Sequence, residues 1–357
     1  MLIVDDSALM RKVLRQVLSD AGFEVVSARS GGEGVAMVRD FRPDVITLDI
    51  NMPEMDGLTA LSLLMTEHPT PVVMVSSLTQ QGAMSTLEAL ALGAVDYVTK
   101  PGGTISLNLR HIADELVRKV QAASQAQVRG DARRAPLRQV RPTGRKPAST
   151  NLAPQRPAVA HRSGQPPGLV LVGVSTGGPR TLEDVLPFLP ADFPWPVLVV
   201  QHMPAHFTSA FARRMDQMCE LQVRECDGPM PLQAGQIVIA QGGRDLVVAE
   251  RLGRLVAQPI AESPAHPWHP CVDVLVDSAL RQMPADRLVG VLLTGMGDDG
   301  AASMARLRAQ GGHTIAESAE TAVVFGMPQE LIARQGAEVV LPSDQVSAQL
   351  LRWAKLH

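Results

Sequence analysis

Short apolar runs alternate with amphipathic stretches along the first 120 residues of the chain. The runs have the length of buried strands, and the stretches between them repeat apolar residues every three or four positions, as helices do. Five strand–helix units in succession predict a parallel sheet with helices on both faces. The predicted strands span residues 2–4, 24–28, 45–48, 72–75 and 96–98, and the predicted helices span residues 8–20, 32–39, 58–67, 85–92 and 105–122.

The same alternation returns after residue 167 and predicts a second, doubly wound parallel α/β sheet. Strand-like runs cover residues 169–174, 197–200, 236–239, 288–293 and 313–316, with helical stretches at 207–218, 271–282 and 301–310. We therefore predict two domains, at residues 1–120 and 168–357. In each sheet, polar residues that follow a strand should gather along the edge formed by the carboxyl ends of the strands.

Residues 121–167 interrupt this pattern and are predicted to be a linker. They contain seven prolines, eight arginines and one lysine against a single acid, Asp131, and show no apolar periodicity. Such a segment buries too little apolar surface to offset the entropy lost on ordering. A solvated tether is one interpretation, and a basic arm that docks on an acidic partner is the other.

The composition excludes several classes of partner and site. The 357-residue chain has a formal net charge of −3, whereas nucleic-acid binding requires a basic excess, so no nucleic-acid partner is expected. No apolar run approaches the ~18 residues of a membrane span, and no export signal is seen, so we expect no membrane insertion and a cytoplasmic location. The three cysteines, Cys219, Cys226 and Cys271, lack CxxC spacing and are expected to be free thiols.

Acidic residues follow two strands of the first predicted sheet. Asp5 and Asp6 come after the first strand and Asp49 after the third, so three carboxylates should meet at one edge. Such a cluster repels itself unless a cation enters, and its oxygen ligands suit Mg²⁺. Ser76 and Lys100 follow the fourth and fifth strands, where they could hold anionic oxygens while Asp49 attacks a phosphoryl donor. A set of helix caps and turn residues is the alternative.

Together these residues resemble the signature of response-regulator receiver domains, which have a flavodoxin-like (βα)5 fold. The matching stretches are Val4-Asp5-Asp6-Ser7, Asp49-x-x-Met52-Pro53-x-x-Asp56-Gly57, Ser76 and Lys100-Pro101. The resemblance implies that Asp49 is the phosphoacceptor. It also implies a Mg²⁺ site on Asp5, Asp6, Asp49 and the backbone oxygen of Asn51, and phosphoryl sensing by Ser76 and Lys100. Tyr97 matches the family's switch aromatic, and a half-buried strand residue is the alternative.

A glycine-rich turn follows the first strand of the second predicted sheet. Gly173-x-Ser175-x-Gly177 has the G-x-S-x-G spacing of a nucleophile elbow, with a strand before it and a helical stretch after it. The glycines allow a sharp turn that exposes Ser175, and backbone N–H groups at the helix start could bind an oxyanion. A plain glycine-rich turn, or a phosphate-binding loop without chemistry, also fits this spacing.

A serine nucleophile requires a base and an acid. His202 ends the next strand and is expected beside Ser175, and either Asp298 or Asp299, after a later strand, could orient the imidazole. The order along the chain differs from that of α/β-hydrolases, so the triad would be convergent.

Two other histidines have weaker chemical signals. His206 lies four residues after His202, but the glutamate of a zinc motif is absent, so a metal site there is not favoured. His269 lies near Cys271 and could imitate a Cys/His pair, although we favour a loop histidine near the substrate.

The second domain resembles the catalytic domain of the CheB family, the chemotaxis protein-glutamate methylesterases. The matching stretches are Gly173-Val-Ser-Thr-Gly-Gly-Pro179, Gln201-His-Met-Pro204, Val272-Asp-Val-Leu-Val-Asp-Ser278, Leu293-Thr-Gly-Met-Gly-Asp-Asp-Gly300 and Val324-Phe-Gly-Met-Pro328. A receiver joined through a linker to this domain is also that family's order. By position, the resemblance implies a triad of Ser175, His202 and Asp299, with the Met296 backbone as a candidate oxyanion donor. Asp298 stands where the family is variable and often uncharged.

The resemblance also implies a function. Such an enzyme hydrolyses glutamate γ-methyl esters on methyl-accepting chemotaxis receptors, releasing methanol, and deamidates certain receptor glutamines. A chemotaxis histidine kinase is the phosphodonor, the catalytic domain needs no cofactor, and phosphorylation of Asp49 would uncover an active site that the receiver covers. A non-enzymatic, phosphorylation-dependent adaptor and a serine hydrolase of small esters or amides are the competing hypotheses.

Overall fold

The computed structural model describes residues 1–77, 79–100, 109–126 and 166–355. Most of the predicted linker, including its tether and docking-arm interpretations, lies outside the described residues. The same holds for Pro101 and for the first residues of the helix predicted at 105–122. The domain boundaries at 120 and 168 therefore stay a prediction. None of the described helices is long and apolar enough to cross a bilayer.

The first sheet consists of five parallel strands in the order β2-β1-β3-β4-β5, which is the flavodoxin-like order. Its strands are β1 Leu2–Val4, β2 Val26–Ala28, β3 Ile46–Asp49, β4 Val72–Ser76 and β5 Asp96–Thr99. Its helices are α1 Ala8–Asp20, α2 Gly31–Phe41, α3 Gly57–Glu67, α4 Gln80–Leu92 and α5 Leu109–Ser124. The predicted (βα)5 architecture is confirmed.

Polar caps begin the first four helices of this sheet. Side-chain oxygens of Ser7, Ser30, Asp56 and Thr79 each accept a hydrogen bond from the backbone N–H three residues later. Each cap satisfies one of the donors that a helix start leaves without an intrahelical partner. Asp56 therefore acts as a cap for α3, and its hydrogen bonds with Thr59 lower its pKa.

The second sheet has seven parallel strands in the order β15-β14-β13-β6-β7-β10-β8. Its strands are β6 Leu169–Val174, β7 Val197–Gln201, β8 Gln222–Cys226, β10 Gln236–Ala240, β13 Leu288–Leu292, β14 His313–Glu317 and β15 Val339–Leu341. The helices of this half are α6 Gly178–Val185, α7 Ala205–Met218, α8 Val272–Gln282, α9 Ala301–Ala309, α10 Met327–Ala333 and α11 Ser343–Ala354. Buried apolar clusters cover both faces of the sheet, so the predicted doubly wound fold is confirmed.

A small antiparallel sheet was not predicted. It consists of β9 Met230–Pro231, β11 Asp245–Arg251 and β12 Arg254–Ile260 in the order β11-β12-β9. The turn between β11 and β12 is Leu252-Gly253, with φ of 51° and 73°. Left-handed turns of this kind usually carry Asn-Gly or Asp-Gly, so the sequence lacked the usual hairpin signal. This sheet packs on α8, where Ser278 Oγ accepts a hydrogen bond from the Val248 N–H at 2.9 Å.

The two large sheets are joined by a buried contact. Helix α4 of the first half packs on α6 and α7 of the second. At the same interface the Tyr97 ring lies 4.5 Å from the Phe207 ring, and both side chains are buried. The apolar core therefore runs from one half into the other.

Candidate active site

Strand pairing brings Ser175 and His202 to the same edge of the second sheet. Strands β6 and β7 are parallel neighbours with Val174 opposite Gln201, so Ser175 and His202 are the next residues in register. The Gln201 side-chain amide donates to the carbonyl oxygens of Ser175, at 2.9 Å, and His202, at 3.1 Å. The serine and the histidine are thus held next to each other, as the sequence predicted for strands adjacent in the sheet.

The turn after β6 has the shape expected of a nucleophile elbow. Gly177 has φ of 80°, a conformation that favours glycine, and α6 begins at the next residue. The Ser175 N–H donates to the carbonyl oxygen of Thr294 at 3.0 Å. At Gly295 a Cβ atom would lie only 2.7 Å from Ser175 Cβ, so glycine is required for this close approach. Met296, the predicted oxyanion donor, is half-buried and follows directly in the same loop.

Asp299, and not Asp298, is the carboxylate in contact with the predicted base. His202 Nε2 lies 2.8 Å from Asp299 Oδ2, and both side chains are 6% exposed. Asp298 is exposed and pairs with Arg334 at 3.2 Å. The structure therefore separates the two aspartates that the sequence left open as alternatives.

The carboxylate of Asp299 is surrounded by donors at the start of α8. Besides His202, it accepts hydrogen bonds from the N–H groups of Val272 and Asp273, at 2.7 and 3.0 Å, and from Cys271 Sγ at 3.2 Å. Burial disfavours its charge, but the hydrogen bond and charge of His202 and the two backbone donors outweigh burial. The pKa of Asp299 is therefore lowered, and the group is an ionised acceptor.

The second nitrogen of His202, the predicted base, differs from the first in its surroundings. With Nε2–H donating to Asp299, the neutral imidazole carries its lone pair on Nδ1. Nδ1 is buried and has no hydrogen-bond partner among the described residues. A buried acceptor without a partner is unfavourable, and it is the atom to which a proton from Ser175 would move.

Sequence analysis missed the part played by Cys271. Burial, followed by the charge of Asp299, raises the pKa of its thiol, so Cys271 is a neutral donor to the carboxylate and not a nucleophile. All three cysteines are free, as expected. The available signal was the position of Cys271 at the start of the predicted helix 271–282, where side chains meet the groups bound at the helix start.

The other two histidines lie outside this contact. Nδ1 of His269 is 3.1 Å from both oxygens of the buried Asp245, so this loop histidine has a structural partner of its own. His206 is exposed at the start of α7. Among the described residues, the only group of side chains arranged to hold a metal is Asp5, Asp6 and Asp49.

At the edge of the first sheet, the predicted acidic cluster forms. Potential ligand atoms of Asp5, Asp6 and Asp49 lie within 4.8 Å of one another. Lys100 Nζ lies 2.6 Å from Asp49 Oδ2 and 3.6 Å from Asp5 Oδ2. Burial raises the pKa of Asp5, and the charge of Asp49 adds to this although Lys100 opposes it. Asp5 Oδ2 is buried and has no hydrogen bond to any described residue, so the cluster fits a hard divalent cation.

The residues predicted to sense phosphorylation occupy the neighbouring strands. Ser76 Oγ accepts from Thr86 Oγ1 at 2.7 Å and donates to the Gly82 carbonyl at 3.3 Å. Tyr97 is buried, not half-buried, and its hydroxyl has no partner among the described residues. Asn51 is exposed, and its N–H donates to Asp49 Oδ1 at 3.2 Å.

Strand β5 of the first sheet touches the serine turn of the second, a contact that the sequence did not reveal. The Thr176 hydroxyl donates to Asp96 Oδ2 at 2.6 Å, and the Gly177 N–H donates to the Val95 carbonyl at 3.2 Å. Lys119 lies 3.2 Å from the other oxygen of Asp96. The residues after Ser175 are therefore held by the strand that leads to Tyr97 and Lys100.

Comparison with known proteins matches two different family models to two separate parts of the chain. The family model described as CheB methylesterase matches residues 170–350, and the model described as response regulator receiver domain matches residues 1–110. A protein-glutamate methylesterase/protein-glutamine glutaminase 3 of Rhodospirillum rubrum is 53% identical over 99% of this chain and 95% of its own length. A protein-glutamate methylesterase/protein-glutamine glutaminase of Archaeoglobus fulgidus is 42% identical over 99% of this chain and 98% of its own length.

A solved structure also resembles the second half. The catalytic domain of the Thermotoga maritima CheB methylesterase superposes with a TM-score of 0.50 at 36% sequence identity. It covers 53% of this chain and 98% of its own chain. This likeness agrees with a parallel α/β catalytic domain in the second half of the molecule.

Proposed function

The chain belongs to the CheB methylesterase family and carries a response regulator receiver domain, and on this basis we propose a mechanism. It is a protein-glutamate methylesterase and protein-glutamine glutaminase that is regulated by phosphorylation, as its relatives' names and domains indicate. We place the reaction on Ser175, His202 and Asp299. The observation that carries this assignment is the buried His202 imidazole, which binds Asp299 through Nε2 while Nδ1 has no hydrogen-bond partner among the described residues, on the strand end next to that of Ser175.

In the proposed acylation step, Ser175 Oγ attacks the γ-carbonyl carbon of a methylated glutamate while its proton moves to His202 Nδ1. The negative charge that develops on the carbonyl oxygen is stabilised by backbone N–H groups, for which Met296 is the candidate donor. Asp299 stabilises the imidazolium without taking its proton. When the C–O bond to the methoxy group breaks, the imidazolium gives its proton to that oxygen and methanol leaves.

Water completes the cycle through the same base. His202 Nδ1 takes a proton from water as the water oxygen attacks the acyl carbon, and the bond to Ser175 Oγ then breaks as the serine regains a proton. The product is a glutamate residue of the substrate protein with an unesterified γ-carboxylate. Attack on a glutamine amide forms the same acyl-enzyme and releases ammonia, so one site serves both activities.

The receiver would control this site from the edge of β5. Asp49 is the proposed phosphoacceptor, with Mg²⁺ on Asp5, Asp6, Asp49 and the Asn51 backbone oxygen. That ion would supply charge neutralisation for the phosphoryl group. Lys100 now pairs with Asp49 and follows β5, and a phosphoryl group would compete for that pairing.

Strand β5 offers a route from the phosphoacceptor to the serine turn. The Val95 carbonyl oxygen accepts a hydrogen bond from the Gly177 N–H. The Asp96 carboxylate accepts one from the Thr176 hydroxyl, so both residues hold the turn that follows Ser175. In the unphosphorylated chain these contacts restrain the turn. Phosphorylation would shift the population toward an arrangement without them.

The proposed partners follow from the reaction. The substrates are methylated glutamates and glutamines on methyl-accepting chemotaxis receptors, a chemotaxis histidine kinase supplies the phosphoryl group, and the enzyme acts in the cytoplasm. A binding-only adaptor and a hydrolase of small esters remain the rival functions, and each predicts a different result in the following assay.

The test is methanol release from methylated receptor membranes, with and without a small phosphodonor. Ser175→Ala should lower the rate by at least about 10³-fold, because loss of the nucleophile removes the covalent route. Ser209→Ala is the matched control, since Ser209 contacts Arg213 on α7. Near-normal release from Ser175→Ala would place the nucleophile elsewhere. Binding without release by the wild type would favour an adaptor, and cleavage of an aryl ester but not of receptor would favour the small-ester hydrolase.

A further inference from the structure

We infer that Trp268 is a positioning residue for the catalytic base, whose indole sets the plane of the His202 imidazole and is contacted by Arg118 of the receiver. The inference rests on the proposed function, because it assigns to His202 the role of base. Trp268 lies on the described segment between β12 and α8, where the residues form neither helix nor strand. It carries no titratable group and donates to none of the three proposed triad residues.

The stacking of the two rings supports a positioning role. The His202 and Trp268 ring centroids are 5.1 Å apart, and the ring planes differ by 11°. One hydrogen bond from Nε2 to Asp299 fixes a single atom of the imidazole and leaves the ring free to rotate about that contact. An aromatic face packed parallel to the imidazole restricts this rotation, so Nδ1 keeps one orientation. The indole face also favours the imidazolium formed when Nδ1 takes a proton.

The loop that carries Trp268 is anchored on both sides of the indole. Buried Asp245 accepts hydrogen bonds from the N–H of Ser263, at 3.3 Å, and from the N–H of Cys271, at 3.0 Å. The same carboxylate contacts His269 Nδ1 at 3.1 Å. These contacts hold a segment without regular structure in one conformation, as a stacked positioning residue requires.

The receiver reaches this indole through α5. The Arg118 guanidinium carbon lies 4.7 Å from the centre of a Trp268 ring. The Arg118 guanidinium and a protonated His202 imidazole would both be attracted to the electron-rich Trp268 indole, and their positive charges would repel each other. Arg118 should therefore oppose protonation of His202 while the receiver is docked, and it should lose this effect when the receiver moves away.

A second histidine–tryptophan stack provides an internal control. His313 and Trp353 lie 4.5 Å apart between ring centroids with planes at 17°. His313 begins β14, so this pair lies at the amino-terminal edge of the sheet, opposite the edge that carries Ser175. Loss of this stack should leave the catalytic base unchanged.

The first experiment compares full-length Trp268→Leu, Trp268→Phe and Trp353→Leu in methanol release from methylated receptor membranes after phosphorylation. Trp268→Leu should lower kcat about 10-fold with KM changed less than about 2-fold, because the base is misplaced while substrate binding remains. Trp268→Phe keeps an aromatic face and should stay within about 3-fold of the wild type. Trp353→Leu should retain kcat. Unchanged kcat in Trp268→Leu, a rise in KM alone, or equal loss in the Phe and Leu variants would overturn the inference.

The second experiment tests the contact with the receiver. Arg118→Gln should raise the kcat of the unphosphorylated chain about 3-fold and leave the phosphorylated rate unchanged, and this gain should disappear in a Trp268→Leu background. Arg39→Gln, which removes an exposed arginine paired with Glu67, is the control. Equal gains in both backgrounds would show that Arg118 acts without the indole. Near-normal activity of Ser175→Ala would contradict the proposed function instead, so the two failures are distinguishable.

Discussion

Asp5 at the edge of the first sheet and Asp299 at the edge of the second are both buried carboxylates beyond the ends of parallel strands, but their surroundings differ. Asp299 accepts hydrogen bonds from an imidazole, two backbone N–H groups and a thiol. Asp5 Oδ2 is buried and accepts no hydrogen bond from the described part of the chain, with Lys100 3.6 Å away and two further carboxylates nearby.

The pKa values of the two groups are shifted in opposite directions for this reason. Burial and neighbouring carboxylates raise the pKa of Asp5, whereas donors that outweigh burial lower the pKa of Asp299. A carboxylate whose two oxygens both accept hydrogen bonds, as in Asp299, stays ionised and fixed in place. The carboxylates of the Asp5 cluster outnumber the cations near them, so the charge balance of the cluster changes when a metal cation or a phosphoryl group is added. The same kind of sheet edge therefore gives a carboxylate suited to the proposed catalytic role in one half and a cluster suited to the proposed switch in the other.

The largest expected effect comes from removing the charge of Asp299. Asp299→Asn should lower methanol release by about 10³-fold, because the imidazolium loses its anion and the amide NH₂ replaces one carboxylate oxygen, where it faces the N–H donor of Val272 or of Asp273. Asp298→Asn is the matched control and should keep most of the activity, since Asp298 pairs with Arg334 at the surface. Equal losses in the two variants would refute the assignment of Asp299.

On the receiver side, removing the phosphoacceptor should abolish regulation without abolishing catalysis. Asp49→Asn should show no stimulation by a phosphodonor, while its unstimulated rate stays near that of the unphosphorylated wild type, because the triad is intact. Asp20→Asn, an exposed change at the end of α1, should retain stimulation. Full stimulation of Asp49→Asn would move the phosphoacceptor to another residue.

Removing the hydrogen bond between Thr176 and Asp96, which joins the two halves of the molecule, should have a smaller effect on the rate. Thr176→Val keeps the shape of the side chain but removes its hydrogen bond to Asp96, which should weaken the docked state by about 1 kcal/mol. The unphosphorylated rate should then rise about 5-fold, since 1.4 kcal/mol corresponds to tenfold. Thr66→Val on the surface of α3 is the control. An unchanged or lower unphosphorylated rate would contradict restraint through this hydrogen bond.

The smallest effect is on stability and depends on pH. The pKa of Asp5 is higher in the folded chain than in the unfolded chain, so its charge destabilises the fold above the folded pKa, and this penalty vanishes below the ordinary carboxyl value of about 3.9. Without added Mg²⁺, Asp5→Asn should therefore stabilise the fold at pH 7 and lose this gain as the pH falls toward 4.

The charge of Asp299 should contribute to the stability of the fold with the opposite sign. Its lowered pKa stabilises the fold above the ordinary carboxyl value, and this contribution is lost as pH falls through the folded pKa. Asp299→Asn should be less stable than the wild type at pH 7 and approach it in acid. Thermal unfolding of both variants from pH 7 to pH 2 measures the comparison, because the contribution of Asp299 is lost only below the ordinary carboxyl value of about 3.9. Parallel pH curves for the two variants would contradict it.

Much of the fold could be predicted because its signals are local. Apolar runs such as residues 169–174 and capping residues such as Ser7 and Asp56 specify strands and helix starts from a few neighbouring positions. The antiparallel hairpin was missed because Leu252-Gly253 is an unusual turn sequence for it. Candidate site residues were found where polar residues follow strands, as at Asp49, Ser175 and His202.

The amino-acid sequence by itself determined the two parallel α/β folds and the strand ends at which Asp49, Ser175 and His202 lie, because strand and turn preferences act over short distances along the chain. Only the tertiary structure decided that Asp299 rather than Asp298 faces His202, and that Cys271 donates to it. It alone brought Asp96 to Thr176 and Trp268 to the imidazole. These contacts join residues far apart in the chain, and they depend on how helices and sheets pack, which no local pattern encodes.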